Sequence, residues 1–335
     1  MEHRLDWVDY AKGIGIILVV YGHLLSSGYR ANLEINEHFF HLSDSIVYSF
    51  HMPLFFFLIG LLVPPSFQRR GTRNFLIDKF TRFAYPYLVW SVIQTSIQIL
   101  YGKSQRGYTI DNILSILYQP LDQFWFLYAL MWMFVAYALF KQFGKFATAV
   151  MVLSACVLFL NPIQTEIAAL KRFSTEFLFF VLGIIVRVHI PNLQKFFVPL
   201  WATALLFVAL LGSGFYIFEN LIPPTRLIRG EYPFYFLYLS SLGIPACIGL
   251  SQYCSTTKTF SFLKTLGTYS LQIYLIHMLA GVAARVVQLE FFQIQSAALA
   301  IGIGVLSGLI GPIIIYRVSI RYQFPYFFRW TREEI

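Results

Sequence analysis

Residues 4–23 read RLDWVDYAKGIGIILVVYGH, and the order of residue types within them decides the fold class. Charge crowds the first half, at Arg4, Asp6, Asp9 and Lys12, and the next charge comes only at Arg30. An uncharged apolar run of that length suits a helix crossing a hydrocarbon core of about 30 Å. No small-residue cleavage site follows, so the run is expected to remain as a first span.

The pattern repeats outward from there. Cutting the 335-residue chain at every Asp, Glu, Lys and Arg leaves nine uncharged stretches of 17 to 26 residues, each rich in Leu, Ile, Val and Phe. With 58% hydrophobic and 12% charged residues, the chain has too little polar surface to solvate soluble domains. Nothing alternates in the ten-residue strands of an outer-membrane barrel. The expected fold is all-α: a polytopic integral membrane protein, one transmembrane domain over residues 1–335 with no soluble extramembrane domain. Ten transmembrane helices are expected, at residues 13–27, 46–63, 83–100, 124–140, 146–160, 173–188, 197–218, 233–250, 266–284 and 297–316. Glu176 interrupts the sixth, which leaves an eight- or nine-span reading open. The run 113–121 is too short to cross and is expected at the interface.

Assigning the segments alternately to two sides collects 17 Lys and Arg on one side and 8 on the other. The richer set includes Lys12, Arg69, Arg70, Arg73, Lys79 and Arg82. Because Lys and Arg accumulate in cytoplasmic loops, both termini are expected to be cytoplasmic, in a cell membrane of bacterial inner-membrane type. The net charge of +9 therefore belongs to loops between spans, and no nucleic-acid partner is expected. Cys156, Cys247 and Cys254 sit in or beside apolar runs without paired or metal-ligand spacing, so they read as packing residues. Motifs for ATP hydrolysis, zinc peptidases, serine hydrolases and dinucleotides are missing, and no metal site is expected.

Ionisable side chains at membrane depth are costly and point to function. His23 lies seven residues before Arg30, His51 seven after Asp44, and His277 eight before Arg285. Each is thus roughly 10–12 Å inside the outer boundary, on three separate helices. Glu176 is slightly shallower. Lys12 and His23 are eleven residues apart, three turns plus about 20°, so one helix face carries a cation and an imidazole roughly 16 Å apart. An imidazole titrates near neutrality and suits deprotonation of a hydroxyl. Each residue also has a bland reading. The histidines would then bond across helix interfaces, Lys12 would snorkel, and the basic cluster would mark topology alone. Gly304 and Gly308 read as helix packing.

Five stretches carry a family resemblance: residues 4–23, 49–61 (SFHMPLFFFLIGL), 79–90 (KFTRFAYPYLVW), 124–130 (FWFLYAL) and 269–277 (YSLQIYLIH). Together they resemble the membrane acyltransferase family 3, especially its fucose 4-O-acetylase-like members. The most specific element is Arg or Lys, ten residues, then His, met here by Lys12 and His23. The resemblance implies transfer of an acyl group, usually acetyl, from acetyl-CoA on the cytoplasmic side to a hydroxyl of a cell-surface or lipid-linked carbohydrate. It makes the first-span histidine essential and acetyl-CoA a substrate rather than a bound cofactor. On this reading His23 is catalytic; Lys12, Lys79, Arg82 and Arg73 bind the donor; His51, His277, Glu176 and Trp125 line the chamber. Two departures stand out. Ile59 occupies a position where the family often has Ser, and the chain ends at Ile335 without the esterase-like domain of some relatives, so a second transfer would need other glycan-assembly proteins. A transient acyl-histidine on His23 is the rival mechanism. A glycan exporter or flippase with a histidine proton relay is the rival function.

Overall fold

A computed structural model describes residues 5–101, 109–190, 192–193, 197–222 and 232–330. Arg4, Lys103, Arg106, Lys195, Arg226, Arg229 and Arg332, which entered the charge assignment, lie outside the described residues. Among the described residues every regular element is helical. In chain order the α-helices are α1 (Asp6–Arg30), α2 (Glu37–Lys79), α3 (Tyr85–Tyr101), α4 (Asp111–Ser115), α5 (Trp125–Phe140), α6 (Ala147–Leu160), α7 (Ala168–His189), α8 (Leu200–Asn220), α9 (Pro233–Thr257), α10 (Ser261–Thr268), α11 (Ser270–Val286) and α12 (Ala297–Arg321). The chain is an all-helical membrane protein.

Seven helical runs among the described residues are long and apolar enough to cross a bilayer, against ten spans expected. The difference lies in three places. Glu37–Leu100 is one run of 64 residues, roughly 96 Å if straight, and Asp122–Leu160 is another of 39. Each carries two of the expected spans, and each is broken between them by a glycine in the left-handed region, Gly71 at φ 69° and Gly144 at φ 56°. The third place is α7, which Lys171, Arg172, Glu176 and Arg187 make too charged for an apolar span. The short run 113–121 overlaps α4, a helix of 5 residues. Before α3, a π-helical turn at Phe80–Ala84 falls where Pro86 can neither donate a hydrogen bond to the Arg82 carbonyl nor fit against it.

The described residues fall into two compact units, the first comprising Met1–Leu58 and Arg187–Ile314, the second Ile59–Val186 and Ile315–Ile335. In the first, α1 is the central helix. It meets α10 so closely that a methyl group on Gly13 would run into the Leu263 carbonyl. Val20 and Leu24 of α1 fill the hollows at Gly308, and at Gly281 with Gly304, so that glycine pair serves helix packing. Pro53 in α2 leaves the Ser49 carbonyl without its helical donor, and the Ser240 hydroxyl of α9 supplies one at 2.6 Å. Outward faces are apolar, with Leu205, Val208 and Leu306 exposed, as lipid requires.

The second unit is built on phenylalanine. Phe75, Phe134, Phe177 and Phe180 are fully buried and pack ring against ring at centroid distances of 5.8 to 6.3 Å. Inside it Gln94 and Gln123 exchange amide hydrogen bonds at 2.8 and 3.3 Å, which satisfies both buried side chains. The segment after α12 folds back, and its Tyr326 and Phe327 carbonyls accept hydrogen bonds from Tyr85 and the Trp90 indole.

Candidate active site

Helical spacing places the candidate side chains of the first unit. His23 on α1 and His277 on α11 have ring centroids 5.3 Å apart, with planes inclined at 46°. Tyr48 of α2 sits edge-on to His23 at 6.0 Å, its hydroxyl 3.5 Å from Nδ1, at the long end of hydrogen bonding. Three residues on, and so on the same helix face, His51 packs edge-on to Tyr48 at 4.5 Å. Tyr274, one turn before His277, completes the layer at 6.2 Å. The structure thus brings the three histidines into one cluster, Tyr48 linking His23 to His51 and His277 adjoining His23 directly.

Burial separates the rings. His51 and His277 are wholly buried, whereas His23 is half-buried. His51 Nδ1 lies 2.7 Å from the Val47 carbonyl, and His277 Nδ1 lies 2.8 and 3.1 Å from the carbonyls of Tyr274 and Ile273. A carbonyl only accepts, so each Nδ1 carries a proton, and in its neutral form each ring keeps its lone pair on Nε2. In His277 that Nε2 is buried and has no hydrogen-bond partner among the described residues. Beside the reachable imidazole, therefore, stands a fixed one with a lone pair to offer. Among the described residues no three His, Cys, Asp or Glu side chains gather as metal ligands.

Toward the other end of α1, Lys12 is half-buried and lies 3.6 Å from Asp9, one turn earlier. Asp6 in turn pairs with Lys264 of α10 at 2.7 Å. The cation that the sequence singled out is thus partly balanced by a neighbouring carboxylate.

The remaining predicted residues belong to the second unit. Asp78 gathers Arg82 at 2.9 Å, Lys79 at 3.1 Å and Arg70 at 3.5 Å. The Lys79 ammonium also lies over the Phe75 and Phe134 rings, 5.3 and 5.8 Å from their centroids. Arg73 is exposed just beyond the Gly71 break. One carboxylate among three cations leaves a positive surplus suited to phosphates. Glu176 is buried on α7. Trp125 opens α5, with the Arg172 guanidinium 4.5 Å from its ring centroid.

Sequence reasoning missed Tyr48, the ring between two histidines, and Asp78, the hub of the cations. Spacing could have found both, since Tyr48 precedes His51 by three residues and Asp78 precedes Arg82 by four.

A family model described as "Acyltransferase domain" matches residues 5–317. Two curated relatives share the name Nodulation protein NolL. The protein from Sinorhizobium fredii is 27% identical over 225 residues, 64% of this chain and 59% of its own length. The protein from Mesorhizobium japonicum is 24% identical over 332 residues, 93% of this chain and 85% of its own length. The chain therefore spans less than two thirds of the Sinorhizobium relative. No solved structure matches this chain.

Proposed function

The chain belongs to the acyltransferase family whose model spans residues 5–317, and from that premise we propose that it acetylates a carbohydrate hydroxyl with acetyl-CoA, using His23 as general base. His23 takes the proton of the acceptor hydroxyl, and the oxygen attacks the thioester carbonyl. The carbon–oxygen bond forms, the carbon–sulfur bond breaks, and the proton passes to the departing CoA thiolate. Tyr48 orients the His23 ring through Nδ1, which leaves Nε2 for the hydroxyl. The polar His277 ring, its centroid 5.3 Å away, stabilises the imidazolium that forms through its dipole rather than through a hydrogen bond. Lys12, on the same face of α1 roughly 16 Å away, guides the donor toward His23. Within the second unit, Lys79, Arg82 and Arg73 are assigned to the donor phosphates by charge.

We place the donor and both termini on the cytoplasmic side of a bacterial inner membrane, and the acceptor on the other. One observation carries the reading: a single reachable imidazole is packed among fixed ones at membrane depth. That arrangement serves proton transfer to a bound substrate, and family membership favours it over export of a glycan. The test feeds labelled acetyl-CoA to membranes bearing the wild type or His23→Ala. Label should enter glycan only with the wild type, and equal labelling would refute the assignment. Double-displacement kinetics would instead favour an acyl-histidine.

A further inference from the structure

Beyond the histidines, α1 and α11 run on outward for about two turns and end in guanidiniums. Arg30 lies seven residues past His23 and Arg285 eight past His277, each roughly 10–12 Å along its helix. Arg285 reaches across to α1, where its Nη1 comes within 3.9 Å of the point at which a side chain on Gly28 would begin. Arg30, two residues further, is exposed, donates through Nε to the Ser26 carbonyl at 3.3 Å, and is near enough to Arg285 to repel it. Immediately after Arg285 the helix loosens into a π turn, Val287–Phe291, a distortion frequent at functional sites.

The Nη1 of Arg285 is buried and finds no acceptor among the described residues. A snorkelling arginine would hold its head in water, so snorkelling does not explain that atom. A guanidinium nitrogen kept from both water and an acceptor is destabilising, and a second cation beside it adds to the cost. An anion between them reverses both effects. Two guanidiniums match more than one negative charge, which favours a phosphate or diphosphate ester over a lone carboxylate.

We propose that Arg285 and Arg30 bind a phosphate group carried by the acceptor, holding it about two helical turns outward of His23. The inference rests on His23 as the acyl-transfer centre, and it makes the acceptor a phosphate-linked glycan.

The test uses the full chain in phosphatidylcholine vesicles with labelled acetyl-CoA. Two acceptors are compared: the diphosphate-linked lipid glycan extracted from cells, and the same glycan released from its phosphate by mild acid. Wild type should prefer the phosphate-linked form by about tenfold in kcat/KM, the size of one charge-assisted contact. Arg285→Gln should erase the preference through the acceptor KM, leave the KM for acetyl-CoA unchanged, and be partly rescued by Arg285→Lys. Equal use of both forms by wild type, or an undiminished preference in Arg285→Gln, overturns the proposal. Acceleration of both acceptors alike by added phosphatidylglycerol, lost in Arg285→Gln, would assign the anion to a membrane lipid and overturn the acceptor assignment. Inorganic pyrophosphate gives a readout without turnover, because it should raise the Tm of wild type more than that of Arg285→Gln. Equal shifts count against the site. Transfer that survives His23→Ala would instead strike the functional reading, and these comparisons do not depend on that variant.

Discussion

The imidazole cluster of the first unit and the cation group of the second are held by different forces. His51 and His277 have no exposed surface, and short hydrogen bonds to carbonyls of the preceding turn pin each ring. Around Asp78 the cations are held chiefly by charge, and the Arg82 side chain stays 52% exposed. Breaking and making bonds demands positions true to a fraction of an ångström, which packing and directed hydrogen bonds supply. Holding a multiply charged donor demands charge density, which tolerates looser side chains and is screened by salt. Substitutions in the first region should therefore act on kcat, and those in the second on the KM for acetyl-CoA.

The largest effect belongs to His23→Ala, expected to lower kcat by about a thousandfold, within the range for a lost general base, at an almost unchanged KM for acetyl-CoA. A raised KM at an intact kcat would erase the contrast between the regions. His277→Leu should lower kcat by about a hundredfold, because it removes the polar ring packed 5.3 Å from His23. His277→Gln, which keeps a polar group there, should recover part of the loss. Equal losses in the two variants would mean that His277 only fills space. Smaller again is a stability effect within the same unit. Ser240→Ala should cost about 1 kcal/mol by leaving the Ser49 carbonyl without a donor, and adding Pro53→Ala should restore it by returning the helical N–H. Additive losses in that cycle, measured by unfolding in detergent, would show the two positions to be uncoupled.

How much of this was legible in the sequence follows from the same contrast. Depth along a helix is a matter of counting, so flanking charges sufficed to put His23, His51 and His277 in one layer. Lateral neighbours are not: that Tyr48 lies between His23 and His51, and that His277 rather than another group faces His23, depends on how α1, α2 and α11 cross. Runs of apolar residues announced the helical membrane fold. They did not announce that helix continues from 37 to 100, because Gly71 breaks the direction there without opening a polar loop. The basic residues at 69–82 read as loop charge for that reason, and the single carboxylate that organises them, Asp78, went unweighed. Membership of the family was carried by a handful of short stretches, chief among them Lys12 and His23 on one face.

The smallest expected effects lie in the cation group, and they sharpen the contrast most finely. The Lys79 side chain is 15% exposed, bound to Asp78 and covered by two phenylalanine rings, whereas Arg82 shares that carboxylate but faces water. A charge held near low-dielectric rings is screened less than one in solvent. Lys79→Gln should raise the KM for acetyl-CoA about threefold and Arg82→Gln about twofold or less, a few tenths of a kcal/mol, with Arg73→Gln weaker still. Adding salt should weaken the Arg82 and Arg73 contributions first and that of Lys79 last, while kcat stays constant throughout. A kcat that fell with Lys79→Gln would mean that this ammonium acts on the reacting atoms, and the division between positioned imidazoles and loosely held cations would fail at that residue.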